Sequence, residues 1–155
     1  MAVKISIRTD GNRTSYKTLV AGSGITVTEN TDVTVAAGSV PRTYVWFVKG
    51  NVATGTEQGA TFRMKRATTV EDVELHVKTA PAGAALIVDI NEAGTSLFST
   101  RPQINDGGTV EADTHAFSDT ALAAAAELTM DIDQVGSTTA GADLTVLLHC
   151  KEALV

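Results

Sequence analysis

Asp131 and Asp133 stand two residues apart in Leu128-Thr-Met-Asp-Ile-Asp133, so an extended chain projects both carboxylates from one side. Such a pair can do acid–base chemistry or bind calcium. The same alternation puts Leu128, Met130 and Ile132 on the opposite side, and the solvated side of a half-buried strand accounts for both acids without a function. A glycosidase would need two carboxylates across a cleft and aromatics to stack on sugar. The chain has 1 Trp, Trp46, and its apolar surroundings predict a core residue. His76, His115 and His149 follow no ligand spacing, so no metal or other cofactor is expected from them. Cys150 and His149 are neighbours on a predicted strand. They point to opposite faces and cannot act as nucleophile and base. Gly22-Ser-Gly24 precedes a strand rather than a helix, so its amides do not converge on a phosphate. No catalytic grouping emerges, and the chain is expected not to be an enzyme.

Four basic residues, Lys4, Arg8, Arg13 and Lys17, face only Asp10 within residues 1–20, while the whole chain carries a formal charge of -6. The overall charge argues against general nucleic-acid binding and against an anionic membrane surface. The local basic cluster is either a solvated face or a docking patch for an acidic surface. The lone Cys150, inside Leu144-Thr-Val-Leu-Leu-His-Cys150, forms no internal disulfide and reads as a buried thiol of a chain folded in a reducing cytosol. The N-terminal residues show no apolar signal core, and no stretch is long enough to span a bilayer as a helix.

The elements that hold these residues are strands. Ala84 to Ile90 is an apolar, branched run between Thr79-Ala-Pro-Ala-Gly83 and Asn91-Glu-Ala-Gly94, which predicts a buried strand. Alternation predicts others over Met1–Arg8, Tyr16–Val20, Thr43–Lys49, Ala60–Arg66, Val70–Lys78, Ser96–Thr100, 128–133 and Asp143–Lys151. His115-Ala-Phe117 suits a short strand, and the Ala-rich Thr120–Glu127 a loop leading into one. After residue 42 this makes about eight strands with turn signals every ten or so residues, nearly all with one polar face. Antiparallel sheets with one wet side have this pattern. The expected fold is all-β: an antiparallel β-sandwich over residues 41–155, a jelly roll by strand number. The immunoglobulin sandwich is the alternative, without the cysteine pair of its antibody-type members.

Residues 1–40 form a separate short β-strand arm. The strands Ile25-Thr-Val-Thr28 and Val33-Thr-Val-Ala36 bury almost nothing alone, since a two-stranded hairpin is marginal in water. Ile25, Val27, Val33 and Val35, with the four basic residues, are therefore the candidate partner-binding residues. Ala37-Gly-Ser-Val-Pro41 reads as the boundary.

Leu19-Val-Ala-Gly-Ser-Gly-Ile-Thr-Val-Thr28 followed by Val33-Thr-Val35 resembles the short β-repeats in the shafts and arms of tailed-bacteriophage fibres. Val73-Glu-Leu-His-Val-Lys-Thr-Ala-Pro-Ala-Gly-Ala-Ala-Leu-Ile-Val-Asp-Ile-Asn91 with Gly94-Thr-Ser96 resembles the jelly-roll domain of phage structural proteins. Leu128-Thr-Met-Asp-Ile-Asp-Gln-Val-Gly-Ser137 and Ala140-Gly-Ala-Asp-Leu-Thr-Val146 belong to the same pattern. The resemblance implies a virion structural protein, made in the host cytoplasm and placed on the capsid exterior. It implies a homotrimeric head decoration (cement) protein whose partner is the phage major capsid protein. The alternative within the resemblance is a short tail fibre or receptor-binding tip, with lectin-like loops at 50–59 and 101–114.

Overall fold

A computed structural model describes residues 9–10, 13–14, 25–27, 33–35 and 38–154, with side chains from 38 onward. The chain divides into Met1–Gly38 and Ser39–Val155. In the first unit β1 (Thr9–Asp10) pairs with β2 (Arg13–Thr14), and β3 (Ile25–Val27) pairs with β4 (Val33–Val35). Ile25 lies opposite Val35 and Val27 opposite Val33. The strands expected over Met1–Arg8 and Tyr16–Val20 fall outside the described residues.

The second unit is an antiparallel β-sandwich without a helix among the described residues. Its strands are β5 (Ser39–Asn51), β6 (Phe62–Arg63), β7 (Thr68–His76), β8 (Leu86–Glu92), β9 (Thr95–Ser96), β10 (Phe98–Thr100), β11 (Gln103–Ile104), β12 (Ala116–Phe117), β13 (Ala121–Leu122), β14 (Glu127–Gln134) and β15 (Ala142–Ala153). One sheet runs β13-β7-β15-β5, the other β11-β8-β14-β6 with β9 on the flank of β8. β10 and β12 form a separate hairpin-like pair. Nine strands thus make the two facing sheets, eight of them apart from the short flanking β9, and β10 and β12 pair beside them. β10 and β12 fall within the expected strands Ser96–Thr100 and His115–Phe117, whereas β11 and β13 lie in stretches expected as loop, because two-residue strands have no period to read.

Alternation produces the core. In β7 Val70, Val73 and Leu75 point inward, in β14 Leu128, Met130 and Ile132, and in β15 Leu144, Val146, Leu148 and Cys150. Inward residues of both sheets form one cluster with Leu86, Val88 and Ile90 of β8. Trp46, 1% exposed, is the largest side chain in it, and its indole N–H donates to the Ala60 carbonyl at 2.7 Å. That bond matters because a buried indole donor without a partner costs about 1–3 kcal/mol.

The division after Gly38 falls within the expected boundary Ala37–Pro41, but Pro41 itself lies inside a strand. β5 starts at Ser39, and Val40 and Pro41 pair with Glu152 and Lys151. A proline fits there because β5 is an edge strand, and a missing N–H is tolerated on the unpaired side. The loops at one end are stitched together: Ala82 N–H donates to the Thr139 carbonyl and Thr138 N–H to the Ala82 carbonyl, both at 2.8 Å. Gly136 lies beneath them, where a Cβ would come within 2.0 Å of the Thr139 oxygen.

Candidate functional site

The residues expected to bind partners divide between what is described and what is not. Lys4, Arg8 and Lys17 lie outside the described residues. Arg13, Ile25, Val27, Val33 and Val35 lie in paired strands whose side chains are not described. Within the sandwich, three polar constellations and one apolar face remain.

Asp131 and Asp133 do not form the plain solvated row expected of them. A bulge between Ile132 and Gln134 leaves Asp133 without a register partner on β8. Arg101 Nε lies 2.7 Å from Asp89 Oδ2 and 3.0 Å from Asp133 Oδ2. Asp89 also accepts from Ser96 Oγ at 2.6 Å. Asp131 accepts from Asn91 Nδ2 at 3.0 Å and from the Glu57 N–H at 2.7 Å. Burial, opposed by Arg101 and reinforced by Asp89 and Asp131, raises the Asp133 pKa. Asp89 and Asp131 accept from protein donors and Asp133 has Arg101 as ion-pair partner, so the network ties the 52–59 loop and the segment around β9 to β8 and β14.

At the opposite end of β15, Glu152 occupies an inward position and is 4% exposed. Arg42 Nε donates to it at 2.7 Å and an Arg66 guanidinium N–H at 3.1 Å. The Arg42 hydrogen bond, against the cost of burial, lowers its pKa, and the charges of both arginines add to this. Cys150 is 1% exposed and faces the core, while His149 faces outward, as adjacent strand residues must. Burial, with the charge of Glu71, pushes the thiol up to about 12, far from a nucleophile's range.

The outer side of the sheet containing β5 carries exposed large apolar side chains. Three rungs cross it: Phe47–Thr145–His76, Val45–Leu147–Glu74 and Thr43–His149–Asp72. Phe47 is 57% and Val45 46% exposed, side by side on an edge strand. Beside them Glu74 lies between two histidines, 3.3 Å from His149 Nε2 and 3.6 Å from His76 Nε2. The strand expected over Thr43–Lys49 lies within β5 and Trp46 is in the core as expected, while the side on which Phe47 and Val45 lie was left unassigned. Alternation around Trp46 was the signal that Val45 and Phe47 face out.

The second missed group is Glu111-Ala-Asp113-Thr-His115, in the loop between β11 and β12. Their ligand atoms all lie within 4.8 Å of one another. The alternate spacing of three potential ligands was legible and went unremarked, because the histidines were compared only with each other.

Comparison with family models, with curated proteins and with solved structures found no match.

Proposed function

We propose that this protein is a structural component that works by assembling: a homotrimeric decoration protein on the exterior of a tailed-phage capsid, bound to the major capsid protein. The observation that carries the reading is the long edge strand β5 with Val45 and Phe47 exposed on its outer side. An exposed edge with adjacent apolar side chains is a pairing hazard for a solitary protein and a joint for an assembling one. We take the sandwich to be a jelly roll. Numbering the eight sheet strands in chain order, the pairs are first with last (β5·β15), second with seventh (β6·β14), third with sixth (β7·β13) and fourth with fifth (β8·β11). That is the wiring left when one long hairpin is rolled up, and it gives two Greek keys. Short hairpins such as β3·β4 gain stability when neighbouring chains complete them, and the basic residues of 1–20 complement an acidic docking surface.

The work is mechanical: trimers seated where capsomers meet tie them together and need no turnover. Sedimentation of the full chain should give a trimer, and the chain should bind purified capsids. Removal of residues 1–38 should leave a folded sandwich that no longer decorates heads. A full chain that stays monomeric and ignores capsids overturns the reading. The receptor-binding tip is the second reading, favoured by one observation: the 101–114 loop carries partly buried polar side chains in a defined arrangement. It predicts binding of the isolated chain to host cells.

A further inference from the structure

We propose that Glu111, Asp113 and His115 bind a divalent transition-metal ion, with zinc as the fitting chemistry, and that Asp72 holds the histidine in place for it. This goes beyond the assembly reading and does not depend on it. The backbone sets the first ligand: Glu111 N–H donates to the Leu75 carbonyl of β7 at 2.9 Å, and Ala112 N–H to the Gln103 carbonyl of β11 at 2.9 Å. Asp113 then takes φ 53, which turns the segment back so that His115 returns beside Glu111. The imidazole is fixed edge-on against Phe117, ring centroids 5.3 Å apart, and against Phe98 at 6.3 Å.

The charge arrangement is what asks for a cation. His115 Nδ1 lies 3.3 Å from Glu111 Oε1, and Nε2 lies 3.3 Å from Asp72 Oδ1. The side chains of His115 and Glu111 are only 10% and 9% exposed. Among the described residues, Glu111 and Asp72 have no lysine or arginine partner, and Asp113 has no ion-pair partner at all. A neutral imidazole owns one N–H, so it can satisfy one of its two carboxylate neighbours and turns a lone pair on the other. A metal ion at Nδ1 removes the conflict. Nε2–H donates to Asp72, Nδ1 ligates, and Glu111 and Asp113 supply carboxylate oxygens. A carboxylate that receives the far N–H of a ligating histidine is the usual support of such a site. One nitrogen and two carboxylates suit zinc, whereas calcium takes oxygen ligands almost alone. Bound there, the ion would pin the loop before β12 to strand β7.

The test is a zinc titration of the chelator-stripped full chain by calorimetry, followed by imidazole nitrogen NMR. One zinc per chain is expected, with the His115 resonances shifting while those of His76 and His149 stay. D113N, a change at an exposed position, should weaken binding at least tenfold without altering the unfolding midpoint of the zinc-free chain. D72N should weaken it about 10–100-fold. Absence of zinc binding, unchanged affinity in D113N, a shift confined to His76 or His149, or tighter binding of calcium than of zinc would each overturn the assignment.

Discussion

Asp89 and Asp131 are register partners on adjacent strands, two carboxylates directly opposite one another on the outer side of the β8·β14 pair. Like charges so placed repel. Arg101 answers for Asp89 and Asn91 for Asp131. Replacing Arg101 by alanine leaves Asp89, 3% exposed, with only the Ser96 hydroxyl. The expected loss is about 1–3 kcal/mol in urea unfolding at neutral pH, and a cycle with D89N should show coupling of the two sites.

Asp133 should behave in the opposite sense. Its pKa in the folded chain stands above the ordinary 3.8, chiefly through burial, so ionising it works against folding. That penalty appears as pH rises from the ordinary value through the folded one and is complete at neutral pH. D133N is therefore expected to stabilise the chain slightly at pH 7 and to leave it unchanged near pH 3. Equal destabilisation at both would contradict this account of its environment.

Glu152 gives the acid side of the stability curve. Its pKa is depressed, first by the hydrogen bond from Arg42. Such a group stabilises the fold above the ordinary carboxylate value of 4.5, and the contribution disappears as pH falls from there through the depressed folded value. E152Q should be less stable than the parent at pH 7, and the two midpoints should converge as the pH is taken towards 3. Parallel melting curves across that range would show that the arginine clamp does not hold the carboxylate.

Phe47 separates assembly from folding. Its side chain contributes little to the core, so F47K should move the urea midpoint of the sandwich by less than about 1 kcal/mol. Self-association, measured by sedimentation at several concentrations, should weaken by at least tenfold. If F47K associates like the parent, the β5 face is not the contact.

Cys150 reports on opening. A thiol pushed up to about 12 inside the sandwich should resist a thiol-specific reagent at pH 8 and react fully once guanidinium unfolds the chain. Rapid labelling of the native protein would show that the end of β15 frays.

Much of this architecture was readable because β15 keeps a period of two from Leu144 onward, β14 does so from Glu127 to Asp133, and β7 does so on either side of one bulge. β8 was readable as buried, but the reason that Asp89 and Asn91 are buried too was not: the cover comes from Arg101, Ser96 and β14, distant or separate in the chain. Asp133 faces outward as its place in the alternation implies, but the bulge beside it and its ion pair with Arg101 leave no mark in the composition. Pro41 looked like a break because its tolerance depends on edge placement, which is a property of the sheet and not of the residue. The spacing of Glu111, Asp113 and His115 is legible in the sequence, but their convergence is not, since it depends on a positive-φ turn at a non-glycine residue.

β5 and β15 pair from Ser39 opposite Ala153 to Asn51 opposite Ala142, with one bulge between Ala142 and Leu144. The seam that closes the sandwich therefore joins its earliest segment to its latest. On the ribosome β5 must wait, its greasy side bare, until about a hundred further residues have emerged, and a chain truncated before β15 has no central strand on which to build that sheet. The same adjacency means that a short linker from Ala153 to Ser39 could open new ends at the exposed Ala53–Thr54 step of the 52–59 loop, giving a permuted molecule with its slowest contact made local.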